Sequence, residues 1–197
     1  MTLPWPLPTG WIVVAGLVLV LAAVAILYPV WRRYRARHSL LEKIRSVATE
    51  YLQDVLLPDG NDGWFHVDFL LLTGAGIVVI DLRDLPGLVF GSEPMTEWTV
   101  MNKNHRSTFP NPLGPLYDRV AVVRALAGDG IPVEGKIVFT DRATFPKGHP
   151  RAVTRLGSLT TELPPLGSAG SESVLSRLGP AWAAVTAAAS PSPLRRR

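Results

Sequence analysis

Two apolar runs carry the residues best suited to chemistry. Asp68 lies in the first, His66 to Leu72, while Asp81, followed two residues later by Arg83, closes the second, Ile77 to Leu82. Thr73-Gly74-Ala75-Gly76 joins the runs with the length and composition of a hairpin loop. Pairing Leu72 with Ile77 sets Asp68 opposite Asp81. Side chains alternate along a strand, so Asp68, Leu70 and Leu72 then share a face with Ile77, Val79, Asp81 and Arg83. Opposed residues have their side-chain roots about 5 Å apart, and like charges at that separation repel. The compensator is a divalent cation, a nearby arginine or a proton on one acid. Arg83 is placed to be the second of these, which makes an Asp-Arg cluster with a purely structural role the alternative to a metal seat.

The remaining composition excludes several chemistries. There is no cysteine, hence no disulfide, thiolate metal site or thiol nucleophile. No phosphate-binding Gly-Lys-Ser/Thr loop, dinucleotide glycine pattern or paired-histidine zinc helix occurs. Of His38, His66, His105 and His149, only His66 falls near the aspartates, two residues from Asp68, where it reads as an edge residue rather than a ligand.

Basicity belongs to the ends of the chain. Arg32, Arg33, Arg35 and Arg37 cluster near the N-terminus, and Arg195, Arg196 and Arg197 close the C-terminus; setting these seven aside leaves 13 of the 20 basic residues against all 16 acidic ones. Arginines so placed fit an anionic lipid surface better than a nucleic-acid groove. The first four follow a stretch from Trp11 to Trp31 that contains no charged side chain. Its roughly 31 Å as a helix matches the hydrocarbon core of a bilayer. Trp11, Tyr28 and Trp31 are placed as interfacial anchors. The reading is therefore a single-pass cell-membrane protein: a short tail over 1–10, a transmembrane helix over 11–31, a basic juxtamembrane segment over 32–38, a domain over 39–163, and a linker, Ala-rich helix and basic tail over 164–197.

The elements that must position the aspartates can be read in outline. Ser39-Leu40-Leu41-Glu42 has the form of a capping box, and the helical spacing of Leu40, Leu41, Ile44, Val47, Ala48 and Tyr51 predicts a helix ending near Glu50 or Tyr51. Leu52 to Leu57 reads as a strand, with a turn from Pro58 to Gly63. Short strands are expected over Leu88 to Gly91, Trp98 to Met101 and Lys136 to Thr140. Asn111 and Pro112 open a helix bearing Leu116, Val120, Val123 and Ala127. The stretch Phe145 to Pro150 reads as an exposed loop. Val174 to Ala189 reads as a helix interrupted near Gly179-Pro180.

His66-Val67-Asp68, the run Gly76 to Arg83, Gly87-Leu88-Val89-Phe90-Gly91, Trp98 and Asn111-Pro112-Leu113, in that order, resemble the nuclease-related domain, NERD, a family grouped with the PD-(D/E)XK nucleases. The resemblance runs from Glu42 to Phe139. It implies an α/β, restriction-endonuclease-like fold, a mixed central sheet flanked by helices, here preceded by one transmembrane helix. It also implies a metal-centred site in which Asp68 and Asp81 hold Mg2+ or Mn2+ and Arg83 stabilises phosphate charge. A helix glutamate, Glu42 in preference to Glu50, would complete that site. The implied activity is metal-dependent hydrolysis of nucleic-acid phosphodiesters. Two departures, aspartate with arginine where glutamate with lysine is usual and Pro115 where glutamine is common, imply the alternative: a membrane-tethered binding or scaffold module for nucleic acid or protein that has kept the fold without the catalysis.

The charge asymmetry around residues 11–31 places the C-terminal domain in the cytoplasm. A reporter fused to the C-terminus is expected to read as cytoplasmic, and neutralising Arg32, Arg33, Arg35 and Arg37 to weaken that orientation. A periplasmic or external signal from the parent fusion contradicts the assignment.

Overall fold

The computed structural model describes residues 14, 17–19, 21, 23–28, 41–60, 63–163 and 168–193, and the chain falls into two compact units, 1–42 and 43–197. In the first unit the described residues between 14 and 28 are helical, with exposed apolar side chains such as Val14, Leu17, Val18, Leu19 and Leu21. Among the described residues no helix is long and apolar enough to cross a membrane. The rest of the span expected over 11–31 lies outside the described residues, as do the basic flank, Ser39 of the expected capping box and the C-terminal arginines.

Helix α1 covers residues 41–47 and buries Ile44 and Val47. It stops short of the expected Glu50 because the sheet captures the chain: Thr49 N–H donates to Leu72 O (2.8 Å), and Glu50 pairs with Leu72 at the start of β1 (Glu50–Pro58). β1 pairs antiparallel with β2 (Trp64–Thr73), which pairs antiparallel with β3 (Gly76–Arg83). The β2–β3 turn requires glycine at 76, where φ is +146° and a Cβ would collide with the Pro132 carbonyl. β3 is buried on both faces, as befits a central strand.

Beyond β3 the sheet becomes parallel through β7 (Val133–Phe139) and β9 (Val153–Arg155). A second sheet has the order β6 (His105–Pro110), β5 (Glu97–Asn102), β4 (Gly87–Phe90) and β8 (Ala143–Thr144). The α/β class and a mixed central sheet flanked by helices are thus present, with the second sheet in addition. β6 was not expected, since His-Arg-Ser-Thr-Phe-Pro carries no apolar alternation; it forms by pairing with β5.

Helix α2 (Leu113–Ala127) opens where Asn111 and Pro112 were expected to start it, with Asn111 Oδ1 accepting the Leu113 N–H (3.0 Å). Its buried stripe, Leu113, Leu116, Val120, Val123 and Ala127, keeps helical spacing. That stripe reaches β7 at Gly135, where a Cβ would lie 2.7 Å from Val120 and 2.8 Å from Leu116. The short α3 (Leu159–Glu162) is tied to β7 by Lys136 Nζ, which donates to Glu162 Oε2 (2.7 Å). Burial alone raises the pKa of the Glu162 carboxyl, but hydrogen bonds from Lys136 and Thr154, with the charges of Lys136 and His149, outweigh it and hold the group below the usual carboxylate range.

The expected break near Gly179-Pro180 is absent. α4 (Ser168–Ala188) runs through Pro180, and Val174, Leu178, Ala181, Trp182 and Val185 join the same core as α2 and the sheet. Proline removes one helical hydrogen bond, and burial of its neighbours on both sides holds the helix together. The chain then adds β10 (Ser190–Pro191) beside β1, so the expected C-terminal helix and the strand after it belong to the same compact unit as the sheet.

Candidate active site

The register expected for the β2–β3 hairpin is present: Leu72 faces Ile77, and the pairing continues to Phe69 and Ile80. There the ladder stops. One step further, where Asp68 and Asp81 would meet, Asp68 Oδ2 accepts the Leu82 N–H (2.8 Å), so a side chain takes the place of a backbone acceptor. β2 goes on pairing with β1 through Val67 and His66, while β3 goes on pairing with β7 through Asp81, Leu82 and Arg83. The sheet forks at the two aspartates. A cleft of about 310 Å³ opens in the fork, with Asp68, Asp81, Arg83, His66, Phe109 and Arg119 in its lining.

Asp81 is only 5% exposed, and a buried carboxylate must be paired. Its Oδ2 accepts from Arg83 Nη2 (2.8 Å) and from Arg119 Nη1 (3.3 Å). Arg119 projects from α2 one turn after Pro115, and its Nε donates to His66 O (2.7 Å), which ties α2 to both arms of the fork. Among the described residues Arg83 Nε is buried without a hydrogen-bond acceptor. At the rim, Asp84 is engaged by Arg142 (2.9 Å) and Thr140 (2.7 Å).

On its other side Asp68 belongs to a second cluster. Asp54 of β1 lies between the pairs Gln53–Phe69 and Val55–Val67, hence across from Asp68. His66 stands between them: its Nε2 is 3.6 Å from Asp54 Oδ1 and its Nδ1 is 3.7 Å from Asp68 Oδ1, both outside hydrogen-bond range. Nε2 is buried and has no hydrogen-bond partner among the described residues. One ligand atom from each of Asp54, His66 and Asp68 falls within 4.8 Å of the other two. Two carboxylates and an imidazole at that spacing fit a divalent cation. Asp81 Oδ2 already serves two guanidiniums, so of the two aspartates it is Asp68 that belongs to the ligand cluster.

Asp68, Asp81 and Arg83, expected together, do meet at this cleft. Glu42 does not line it; the residue is exposed on α1. Glu50 is committed elsewhere, its Oε2 accepting from Trp182 Nε1 (2.6 Å). His66, expected as an edge residue, is part of the lining. Arg119 and Asp54 were missed. Asp54 had a signal, as an acid inside the apolar run Leu52 to Leu57, whereas Arg119 becomes a neighbour of Asp81 only when α2 docks.

The profile of the nuclease-related domain matches residues 32–140, more than half of the chain and a range that contains every residue of the cleft. The chain belongs to the NERD family. No curated protein and no solved structure matches it. In this NERD domain the matched range ends one residue after β7, so α3, α4 and β10 lie outside the family core while α4 still packs against it.

The twofold pairing of Asp81 gives a direct expectation. Asp81→Asn leaves Arg83 and Arg119 without their carboxylate and is expected to lower stability by roughly 2 kcal/mol in urea denaturation with chelator present. Unchanged or increased stability would mean that repulsion from Asp68, rather than pairing with the arginines, dominates the energetics of Asp81.

Proposed function

We propose that the protein is a divalent-metal-dependent nucleic-acid phosphodiester hydrolase, tethered to a membrane by residues 11–31 with its NERD domain on the cytoplasmic side. The observation that carries this reading is the fork itself. It gathers Asp68 and Asp81 from adjacent strands, and Arg83 and Arg119 from a strand and a helix, around one cleft. Guanidiniums present planar pairs of donors that match phosphate oxygens, and the unsatisfied Nε–H of Arg83 supplies such a donor. Mg2+ or Mn2+ held by Asp68, with Asp54 and His66 or with Asp81, would neutralise phosphate charge and acidify a bound water. An imidazole, unlike a guanidinium, is of the side-chain types that serve as proton acceptors, and His66 brings one to the cleft. Tethering rests on the charge-free stretch 11–31 and on the exposed apolar side chains of its described helical residues.

A second reading is a binding module without catalysis. It is favoured by the same Asp81, whose Oδ2 is satisfied by two arginines, and by the absence of lysine among the described residues lining the cleft. The full chain in mild detergent, incubated with single- and double-stranded oligonucleotides and Mg2+ or Mn2+, separates the two. The hydrolase reading expects cleavage that EDTA abolishes and Asp68→Asn lowers at least about 100-fold, the loss expected for a group that organises the transition state. A folded chain that retains oligonucleotides and never cleaves them would leave the binding module.

A further inference from the structure

The wall of the cleft continues into a protruding ribbon. Phe109, part of the lining, lies on β6 and packs edge-on against Trp98 of β5 (6.1 Å between centroids). From there β5 and β6 run outward to a tight turn at Lys103 and Asn104, with Met101 facing Arg106 and Asn102 facing His105. All eight residues from Met101 to Thr108 are exposed. Glu97, paired with Pro110, lies at the base of the ribbon; from there outward to Tyr117 the chain holds no acidic residue, and the ribbon carries Lys103, His105 and Arg106 with the donors Asn102, Asn104, Ser107 and Thr108. Apart from the chain's terminal arginines, acids outnumber bases, so a polyanion is repelled by much of the domain and attracted here.

We infer that the β5–β6 ribbon is the nucleic-acid backbone contact of this protein, guiding a duplex into the fork. The inference rests on the proposed hydrolase reading for the identity of the polyanion. From Phe109 to His105 the strand advances about 13 Å, the axial length of roughly four phosphates on one strand of a duplex. A two-stranded ribbon also fits the width of a major groove. Lysine, arginine, asparagine, serine and threonine are side chains that position phosphates. The contact is therefore insensitive to sequence and sensitive to salt. At the cleft Arg83 and Arg119 stand beside Asp68, Asp81 and Asp84, so the excess of positive charge belongs to the ribbon.

The test is fluorescence anisotropy of a labelled 20-base-pair duplex with the full chain in detergent and EDTA, between about 50 and 200 mM salt. The double variant Lys103→Gln/Arg106→Gln is expected to bind about tenfold more weakly at 100 mM salt, with the log–log salt slope reduced by about 2, one for each phosphate contact removed. Lys147→Gln/Arg155→Gln, which removes the same charge from exposed positions off the ribbon, is expected to keep the parent affinity. The inference is overturned if the parent does not bind the duplex at low salt, if the ribbon variant matches the parent, or if both double variants lose affinity equally. It is also overturned if the ribbon variant loses only its binding to phosphatidylserine vesicles, since the ribbon would then face lipid. Because chelator excludes hydrolysis, ribbon-dependent binding in a chain that never cleaves with metal would sink the hydrolase reading alone. Metal-dependent cleavage with unaltered duplex binding by the ribbon variant would sink the ribbon alone.

Discussion

A carboxylate almost out of reach of water organises the functional end of this domain. Asp81 sits on the central strand β3, and burial of a charge there costs several kcal/mol unless partners replace the lost water. Arg83 and Arg119 supply them, one from the same strand and one from α2. Arg119 also holds the His66 carbonyl, so a single guanidinium fixes the docking of α2 and the position of the diverging arm of β2. The arrangement concentrates two cationic forks beside two carboxylates, nearly neutral in sum and densely supplied with donors. Under the proposed function that balance would let an external acceptor exchange for an internal one, phosphate oxygens taking the place of Asp81 on an arginine and a cation taking the charge of the freed carboxylate.

The fork makes such an exchange geometrically accessible. Where β2 and β3 part, Asp68 spends one oxygen on the Leu82 amide and presents the other toward His66, with Asp54 beyond. The arginine side of the cleft and the Asp54–His66 cluster thus meet at Asp68. The ribbon formed by β5 and β6 gives the cleft an approach whose charge is opposite to that of most of the domain surface. Chemistry at the fork and capture along the ribbon are separable because the first depends on buried pairing and the second on exposed, screened charge.

What the sequence could disclose followed local rules. The β2–β3 register was legible because two apolar runs flank a four-residue glycine loop, and that register alone brings Asp68, Asp81 and Arg83 together. α2 was legible from its spacing and its Asn-Pro opening. Arg119 was not, since its partnership with Asp81 spans 38 residues and depends on how α2 lies against the sheet. The end of α1 was misread because pairing with Leu72 overrides helical periodicity, and β6 was missed because a polar edge strand has no alternation to detect. The C-terminal helix was legible from its Ala-rich stretch, but that its Trp182 and Leu178 join the core was not, since that depends on how the helix docks. The site glutamate was sought on a preceding helix, whereas the structure offers Asp54 and His66 from the strands themselves.

Anomalous scattering from crystals of the full chain soaked in Mn2+, with inorganic phosphate as a second soak, distinguishes an ion-binding fork from a structural clamp. A manganese peak bonded to Asp68 within the fork is expected, with phosphate on Arg83 and Arg119 and Asp81 released from at least one of them. A fork that binds neither ion, with Asp81 still held by both arginines, would contradict that expectation and leave the buried triad as a purely structural clamp.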